Sequence, residues 1–306
     1  MPENTIIGEA PSGSRPGPDG VVPGEERPTD GSTADREPTD ADETAPREVP
    51  GDASTAFHRG RAYSLLALAF ERPGEEFQEA VDGQVFRADL VESVGAVDGD
   101  AAALAEIVGA RADDAAALHD EWASLFGVEE GVSVSPYELT YLPGPLMTNV
   151  RKLADLSGFY EAFGLEIVPE KNDRRDNVRF LLEFLGHLSV REAYLRTEGD
   201  DRGVAVVADA YRQFLEAHLG RWYWRFADEV SQHDDGFYAA LADLLAALVE
   251  AELDRLDLDP DWVPDDPQVT EWTEDVFGDS GRGCGGCGST PGDLRGDATF
   301  DVDPDG

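Results

Sequence analysis

The chain has 306 residues, and its 65 acidic against 24 basic residues give a formal charge of −41 at neutral pH. A surface of that sign repels phosphate, which excludes nucleic-acid binding and docking on anionic lipid. No stretch approaches the roughly 20 apolar residues of a membrane span, so stable membrane insertion is not expected either. Only Lys152 and Lys171 are lysines, and the remaining basic residues are Arg. An acidic, Lys-poor composition is that of a salt-adapted proteome, where it maintains solubility. The start, MPENTIIGEA, has neither a basic n-region nor an apolar h-region, so the expected location is the cytoplasm. Two cysteines, Cys284 and Cys287, make no disulfide framework, and the core has to hold by packing.

Residues 1–55 are crowded with Pro, Gly, Ser, Thr and Asp and show no apolar period, which reads as a disordered acidic tail. A helical domain is expected over 56–277. Tyr63, Leu66, Ala67 and Phe70 share one helix face, and Pro73 ends that helix. Weaker Ala-rich segments near 76–93 and 100–112 read as helices as well. Leu118, Trp122, Leu125 and Phe126 repeat the pattern, as do Leu146, Val150, Leu153, Tyr160 and Phe163. Val178, Leu181, Leu182, Leu185 and Leu188 form another stripe. Val207, Tyr211, Phe214, Leu215, His218 and Trp222 read as one further helix, and Phe237, Leu241, Leu244, Leu245 and Leu248 as the last. Strand signals are almost absent, VSVS at 132–135 being too short to seed a sheet. The expected fold is all-α: one helical bundle of about eight to ten helices. Residues 278–306, Gly- and Asp-rich, read as a second disordered tail.

Two interruptions divide the helical pattern. Gly127–Pro145 holds too much Gly and Pro for a helix, yet also Tyr137, Tyr141 and Leu142. Glu166–Asp176 is a charged connector. Loops of this kind, splitting a helical domain in two, are a natural place for a binding cleft.

Several short elements follow one another here. Trp122 with Leu125 and Phe126 closes an acidic, aromatic helix; Pro136, Tyr137, Glu138 and Tyr141 occupy the loop; Phe159, Tyr160 and Gly164 end a helix; Asp176, Asn177, Leu182, Glu183, Phe184 and Leu185 open the next. In that order and spacing they resemble the all-helical maturation chaperones of molybdenum-containing respiratory reductases, the TorD, DmsD and NarJ types. RGRAYSLLALAFERP is similar to the family's first helix, and FLEAHLGRWYWRF with FYAALADLLAALVE to its closing pair, so the likeness covers about residues 57–256. The FYEAFGLEI turn and the LADLSGFY stretch look nearest to the nitrate-reductase and type II dimethyl-sulfoxide-reductase branch. Asn177 stands where many members have His, and Arg175 where Pro often precedes the Asp. A role needing an ionisable imidazole is therefore not carried over.

The resemblance implies a non-enzymatic chaperone without a cofactor of its own. It would bind the catalytic subunit of a molybdenum-dependent reductase or dehydrogenase, whose molybdopterin and iron–sulfur clusters belong to the client. It would hold that subunit open for cofactor insertion and delay export or membrane docking. The implied client segment is a twin-arginine leader or an equivalent N-terminal segment. Guanidinium groups seek carboxylates, which Glu138, Asp176 and Glu183 offer. An apolar stretch seeks an aromatic groove, for which Tyr137, Tyr141, Trp122 and Tyr63 are candidates beside Pro136 and Asn177. Tyr63 and Trp122 also lie in helical stripes, the mark of core residues, and Glu183 has Arg179 four residues before it as a simple ion-pair partner.

Other readings compete. His119-Asp120 and His233-Asp234 are the dipeptides of helical metal-dependent phosphohydrolases, which need further ligands converging on one metal. A plain helical interaction module is a third possibility. Cys284-Gly-Gly-Cys287 supplies two thiolates, half of a tetrahedral metal site, or a mobile redox pair, or nothing beyond an incidental tail sequence.

Overall fold

A computed structural model describes residues 7–9, 51–127, 134–167 and 173–260. The chain divides into two units, Met1–Val269 and Thr270–Gly306, and every described residue belongs to the first. Most of both expected tails, the expected boundary at 278 and the CGGC sequence lie outside the described residues.

The helices form where the apolar spacing places them. Helix α1 (Ala53–Phe70) starts at Asp52, whose carboxylate accepts from Thr55 N at 2.8 Å, and ends before Pro73. The Ala-rich region resolves into α2 (Glu75–Asp82), α3 (Val85–Val97) and α4 (Ala102–Arg111). Gln84, at φ +56°, turns the chain sharply between α2 and α3. Then come α5 (Ala115–Phe126), the single turn α6 (Glu138–Tyr141), α7 (Leu146–Ala162), α8 (Val178–Glu198), α9 (Asp201–Ala217), α10 (Tyr223–His233) and α11 (Phe237–Leu256).

Two features depart from the helical pattern. The apolar stripe from Val207 to Trp222 is not one helix: α9 stops at His218, and a 3₁₀ turn, Leu219–Arg221, redirects the chain into α10. Gly220 makes that turn possible, because a Cβ there would stand 2.5 Å from the Leu215 carbonyl oxygen. Strand β1 (Ile7–Glu9), inside the stretch read as a tail, pairs antiparallel with β2 (Leu165–Ile167), inside the stretch read as helix end and connector. Three residues per strand are too few for apolar alternation to announce them. Apart from this ribbon, the described residues are all-α.

α1 and α8 are in backbone contact. A Cβ on Gly60 would lie 2.9 Å from the Gly186 carbonyl oxygen, and one on Gly186 would lie 3.1 Å from the Gly60 carbonyl oxygen. Around this crossing the core is aromatic. Tyr141 stacks on Trp222 with centroids 5.0 Å apart, Phe70 and Phe126 meet Phe226, and Phe159 and Phe184 meet Phe214. Each such buried side chain contributes about 1.5–3 kcal/mol by leaving water.

One ionic network is sealed inside. Arg59 on α1, 4% exposed, reaches Glu192 of α8 at 2.5 Å and Glu252 of α11 at 3.7 Å. Arg196 and Arg255 engage the same two carboxylates at 2.7 and 2.6 Å. Tyr63 closes the network: its hydroxyl accepts from that of Tyr211 at 3.3 Å, and the Arg59 guanidinium lies over the Tyr211 ring. Burial alone would raise the Glu252 carboxyl, but Arg59 and Arg255 outweigh it and hold the group below the usual carboxylate range.

Removing one member of a buried ionic set leaves its partners desolvated and underpaired. Arg59→Met should therefore lower unfolding free energy in urea by about 3 kcal/mol; a change within error would show that Arg196 and Arg255 suffice. Glu252, with its folded value depressed, stabilises the fold above its unfolded value of about 4.3, and that contribution is lost as pH falls through the lower folded value. Glu252→Gln should accordingly flatten the acid limb of a melting-temperature profile between pH 5 and pH 3; an unaltered limb would assign acid sensitivity to other carboxylates.

Candidate functional site

The two interruptions meet. Val178 N donates to the Pro136 carbonyl at 2.8 Å and Glu138 N to the Asp176 carbonyl at 2.9 Å, an antiparallel bridge that pairs Tyr137 with Asn177. Upstream, Val134 N donates to the Leu125 carbonyl at 3.1 Å, tying the loop to the end of α5.

Side chains lock this bridge. Asp176 is buried and accepts from Leu139 N at 3.1 Å. It also takes a forked pair from Arg174, Nε to Oδ1 at 3.0 Å and Nη2 to Oδ2 at 2.6 Å. The same guanidinium lies 4.4 Å over the Tyr137 ring. Asp173 is a hub: it accepts from the Tyr137 hydroxyl at 2.8 Å, from Asn177 Nδ2 at 3.0 Å and from Arg179 Nη2 at 3.0 Å. Burial and then the Asp173 acceptor push the Tyr137 hydroxyl up to about 12. Asn177 also caps α8, its Oδ1 accepting from Arg179 N at 3.1 Å.

Below the bridge, Glu138 is 1% exposed, and its two oxygens lie 3.0 and 3.1 Å from His218 Nδ1. The other ring nitrogen of His218 is 3.3 Å from Asp155 on α7, and the ring packs between Phe159 and Phe214. The Tyr141 hydroxyl lies within bonding distance of Glu229 (2.5 Å) and of the Ser135 carbonyl (2.9 Å). Burial, followed by Glu229, raises that hydroxyl far above its usual value.

The sequence-derived residues therefore separate by position. Pro136, Tyr137, Asn177 and Trp122 come together, and Pro136, Trp122 and Asn177 line a cleft of about 160 Å³ with Phe70, Arg72 and Arg179. Trp122 is half-buried and donates from Nε1 to the Phe70 carbonyl at 3.0 Å. Glu138, Asp176 and Tyr141 are buried beneath the bridge with partners inside the chain, so in this conformation they hold the loop rather than face a ligand. Tyr63 is core, as its stripe also allowed. Glu183, half-buried, faces a different and larger groove between α1, α3 and α8.

Sequence reasoning passed over Asp173, Arg174, His218, Glu229 and Trp222 as parts of this assembly. For Asp173 a signal existed: it stands four residues before the helix cap, where an Asp can gather the donors of a turn. The cleft itself has two arginines and one carboxylate, Asp173, on its lining, so it is poorly suited to a guanidinium.

The His-Asp dipeptides have separate, local partners. His119 Nε2 accepts from Arg72 Nε at 3.2 Å; His233 Nδ1 lies 2.9 Å from the Glu229 carbonyl, and Asp234 accepts from Ala239 N at 2.8 Å. Among the described residues no three His, Cys, Asp or Glu side chains are grouped to hold a metal.

Residues 94–228 match the family model described as nitrate reductase delta subunit. The perchlorate reductase assembly chaperone protein of Dechloromonas aromatica is 27% identical over 216 residues, covering 65% of this chain and 89% of that protein. The chaperone protein TorD of Vibrio parahaemolyticus is 25% identical over 193 residues, or 62% of this chain and 88% of the relative. TorD of Aliivibrio salmonicida is 29% identical over 122 residues, 40% of this chain, and the match spans 55% of that relative's length. Over these residues the chain is similar to the family described as nitrate reductase delta subunit and to proteins named as redox-enzyme chaperones of the TorD and perchlorate-reductase-assembly types.

Proposed function

We propose that this chain is a cytoplasmic, system-specific chaperone for the catalytic subunit of a molybdopterin oxidoreductase. It binds a leader or N-terminal segment of that subunit, keeps the subunit open while cofactor is inserted, and delays export or membrane docking until insertion is complete. Molybdopterin and iron–sulfur clusters belong to the client. Among the described residues no helix is long and apolar enough to cross a membrane.

The observation that carries this reading is a hydrogen-bonded loop flanked by uncovered apolar surface. On α7, beside the bridged loop, Leu146, Met147 and Val150 are 68, 67 and 51% exposed. Three neighbouring large apolar side chains left in water favour a protein partner over a small substrate. Glu138, Asp176 and Asn177 serve such binding by fixing the loop, while Tyr137, Pro136 and Trp122 lie at its surface.

The test is co-purification of tagged full-length chain from cells growing by anaerobic respiration, with a deletion strain as comparison. The expected result is one enriched molybdopterin-type catalytic subunit, and in the deletion strain the same subunit with at least severalfold less bound molybdenum. No enriched oxidoreductase, together with normal molybdenum content in the deletion strain, would overturn the proposal.

A further inference from the structure

The chain is strongly acidic, but one stretch of it is not. No Asp or Glu occurs from Leu139 to Ala154, which include Arg151 and Lys152, one of the chain's two lysines. The stretch runs from α6 through the first half of α7 and carries Leu146, Met147 and Val150, the exposed apolar side chains beside the bridged loop. Between α6 and α7 lies a cleft of about 380 Å³. Leu139, Leu146, Val150 and Leu153 give it an apolar lining, and among the described residues that line it only Arg174 is charged.

Helical spacing explains why these side chains meet. Leu146, Val150 and Leu153 recur at i, i+4 and i+7 and form one row along α7, while Met147, Arg151 and Ala154 repeat the spacing one position on, in the adjacent row. The buried residues of α7, Leu156 and Tyr160, both lie in its second half. The first half therefore offers its apolar row to something other than this core.

The cations around the rows differ in what they already hold. Lys152 donates to the Leu142 carbonyl at 2.7 Å, and burial lowers its pKa. Arg174 is forked onto Asp176, with its side chain 48% exposed. Arg151 on α7 and Arg175 beside Arg174 are exposed, and among the described residues neither enters an ion pair. Asp155, the first carboxylate past the stretch, is turned to the His218 ring at 3.3 Å.

We infer that this face receives an acidic amphipathic segment of the client, its apolar side chains in the α6–α7 cleft and over Leu146, Met147 and Val150, its carboxylates on Arg151 and Arg175. The inference rests on the chaperone reading for the identity of the partner, and charge complementarity selects the occupant. A guanidinium holds a carboxylate through a fork of two N–H donors, whereas the arginines of a leader would meet like charge here. The segment seated on this face is therefore not the arginine-bearing part of a leader. An isologous contact with a second copy would bring the same cations to both sides. The net charge of −41 does not cancel the preference, because exposed charges more than about 10 Å apart are largely screened at roughly 0.1 M salt, and the side chains in contact decide.

The probe is a labelled 14-residue synthetic peptide with Leu at i, i+3, i+4 and i+7 and Glu between; its counterpart carries Lys for every Glu. Fluorescence anisotropy with the full-length chain should show the Glu peptide binding at least about tenfold more tightly than the Lys peptide. Met147→Glu should weaken the Glu peptide about tenfold, and Arg151→Glu should weaken it and strengthen the Lys peptide, each about fivefold. Val206→Glu, on a 60% exposed position of α9, should leave both unchanged. Circular dichroism of each variant checks that the fold is retained. Equal affinity for the two peptides, or a Glu-peptide affinity unmoved by Met147→Glu and Arg151→Glu, would overturn the inference. So would either rival occupant: a doubled molar mass in light scattering that Met147→Glu abolishes gives the face to a second copy, and a tighter Glu peptide in full-length Trp262→Ala gives it to the chain's own acidic residues 261–269. Client capture undiminished by Met147→Glu would overturn this inference alone, whereas the absence of any captured molybdoenzyme with the unaltered chain would overturn the chaperone reading beneath it.

Discussion

Two backbone hydrogen bonds, Val178 N to the Pro136 carbonyl and Glu138 N to the Asp176 carbonyl, turn two loops forty residues apart into one surface. Without them the Gly- and Pro-rich stretch after α5 would have to satisfy its peptide groups with water and would keep no fixed shape. With them, the start of α8 becomes a platform, and the polar side chains of both loops are drawn into its support. Arg174 shows the economy of the arrangement: one guanidinium forks onto Asp176 and covers the Tyr137 ring, so the bridge and the half-buried aromatic depend on the same group.

The carboxylates of this acidic chain divide into two populations. Glu138, Asp176, Glu192 and Glu252 are buried, each held by a basic partner from a neighbouring element or turn, and they work as internal fasteners. The other described carboxylates are half-buried or exposed and set the sign of the surface. A buried carboxylate is costly unless its oxygens are answered, so each of the four comes with a specific donor geometry. The rim of the α1–α3–α8 groove lies between these extremes. Its carboxylates are half-buried beside apolar side chains.

Most of the helices were legible because apolar spacing is a local property: Tyr63, Leu66, Ala67 and Phe70, or Phe237 through Leu248, announce their face within a few turns. The break at His218 was not, since Leu215, His218 and Trp222 continue the helical spacing through it, and the turn depends on the close approach of Gly220 to the Leu215 carbonyl. The β1–β2 ribbon is likewise a pairing across more than 150 residues that no short window contains. For the candidate site, the motif residues were identifiable, and the structure places Pro136, Tyr137 and Asn177 at one bridge. Whether a carboxylate faces outward was not, because the partner that buries Glu138 is His218, eighty positions away.

Asn177 shows why a departure from the family pattern can preserve the local structure. The position demands two things at once: an acceptor for Arg179 N, which caps α8, and a donor for Asp173. A side-chain amide has both on adjacent atoms and keeps them at every pH. Neutral imidazole offers one donor and one acceptor on separate ring nitrogens, and once protonated it has donors only, so it would lose the cap exactly where its charge attracted Asp173 more strongly. In this chain the junction between loop and helix is therefore insensitive to the proton concentration at that residue. The cap of α8, and the bridge that follows from it, stand on hydrogen bonds that titration of position 177 cannot change.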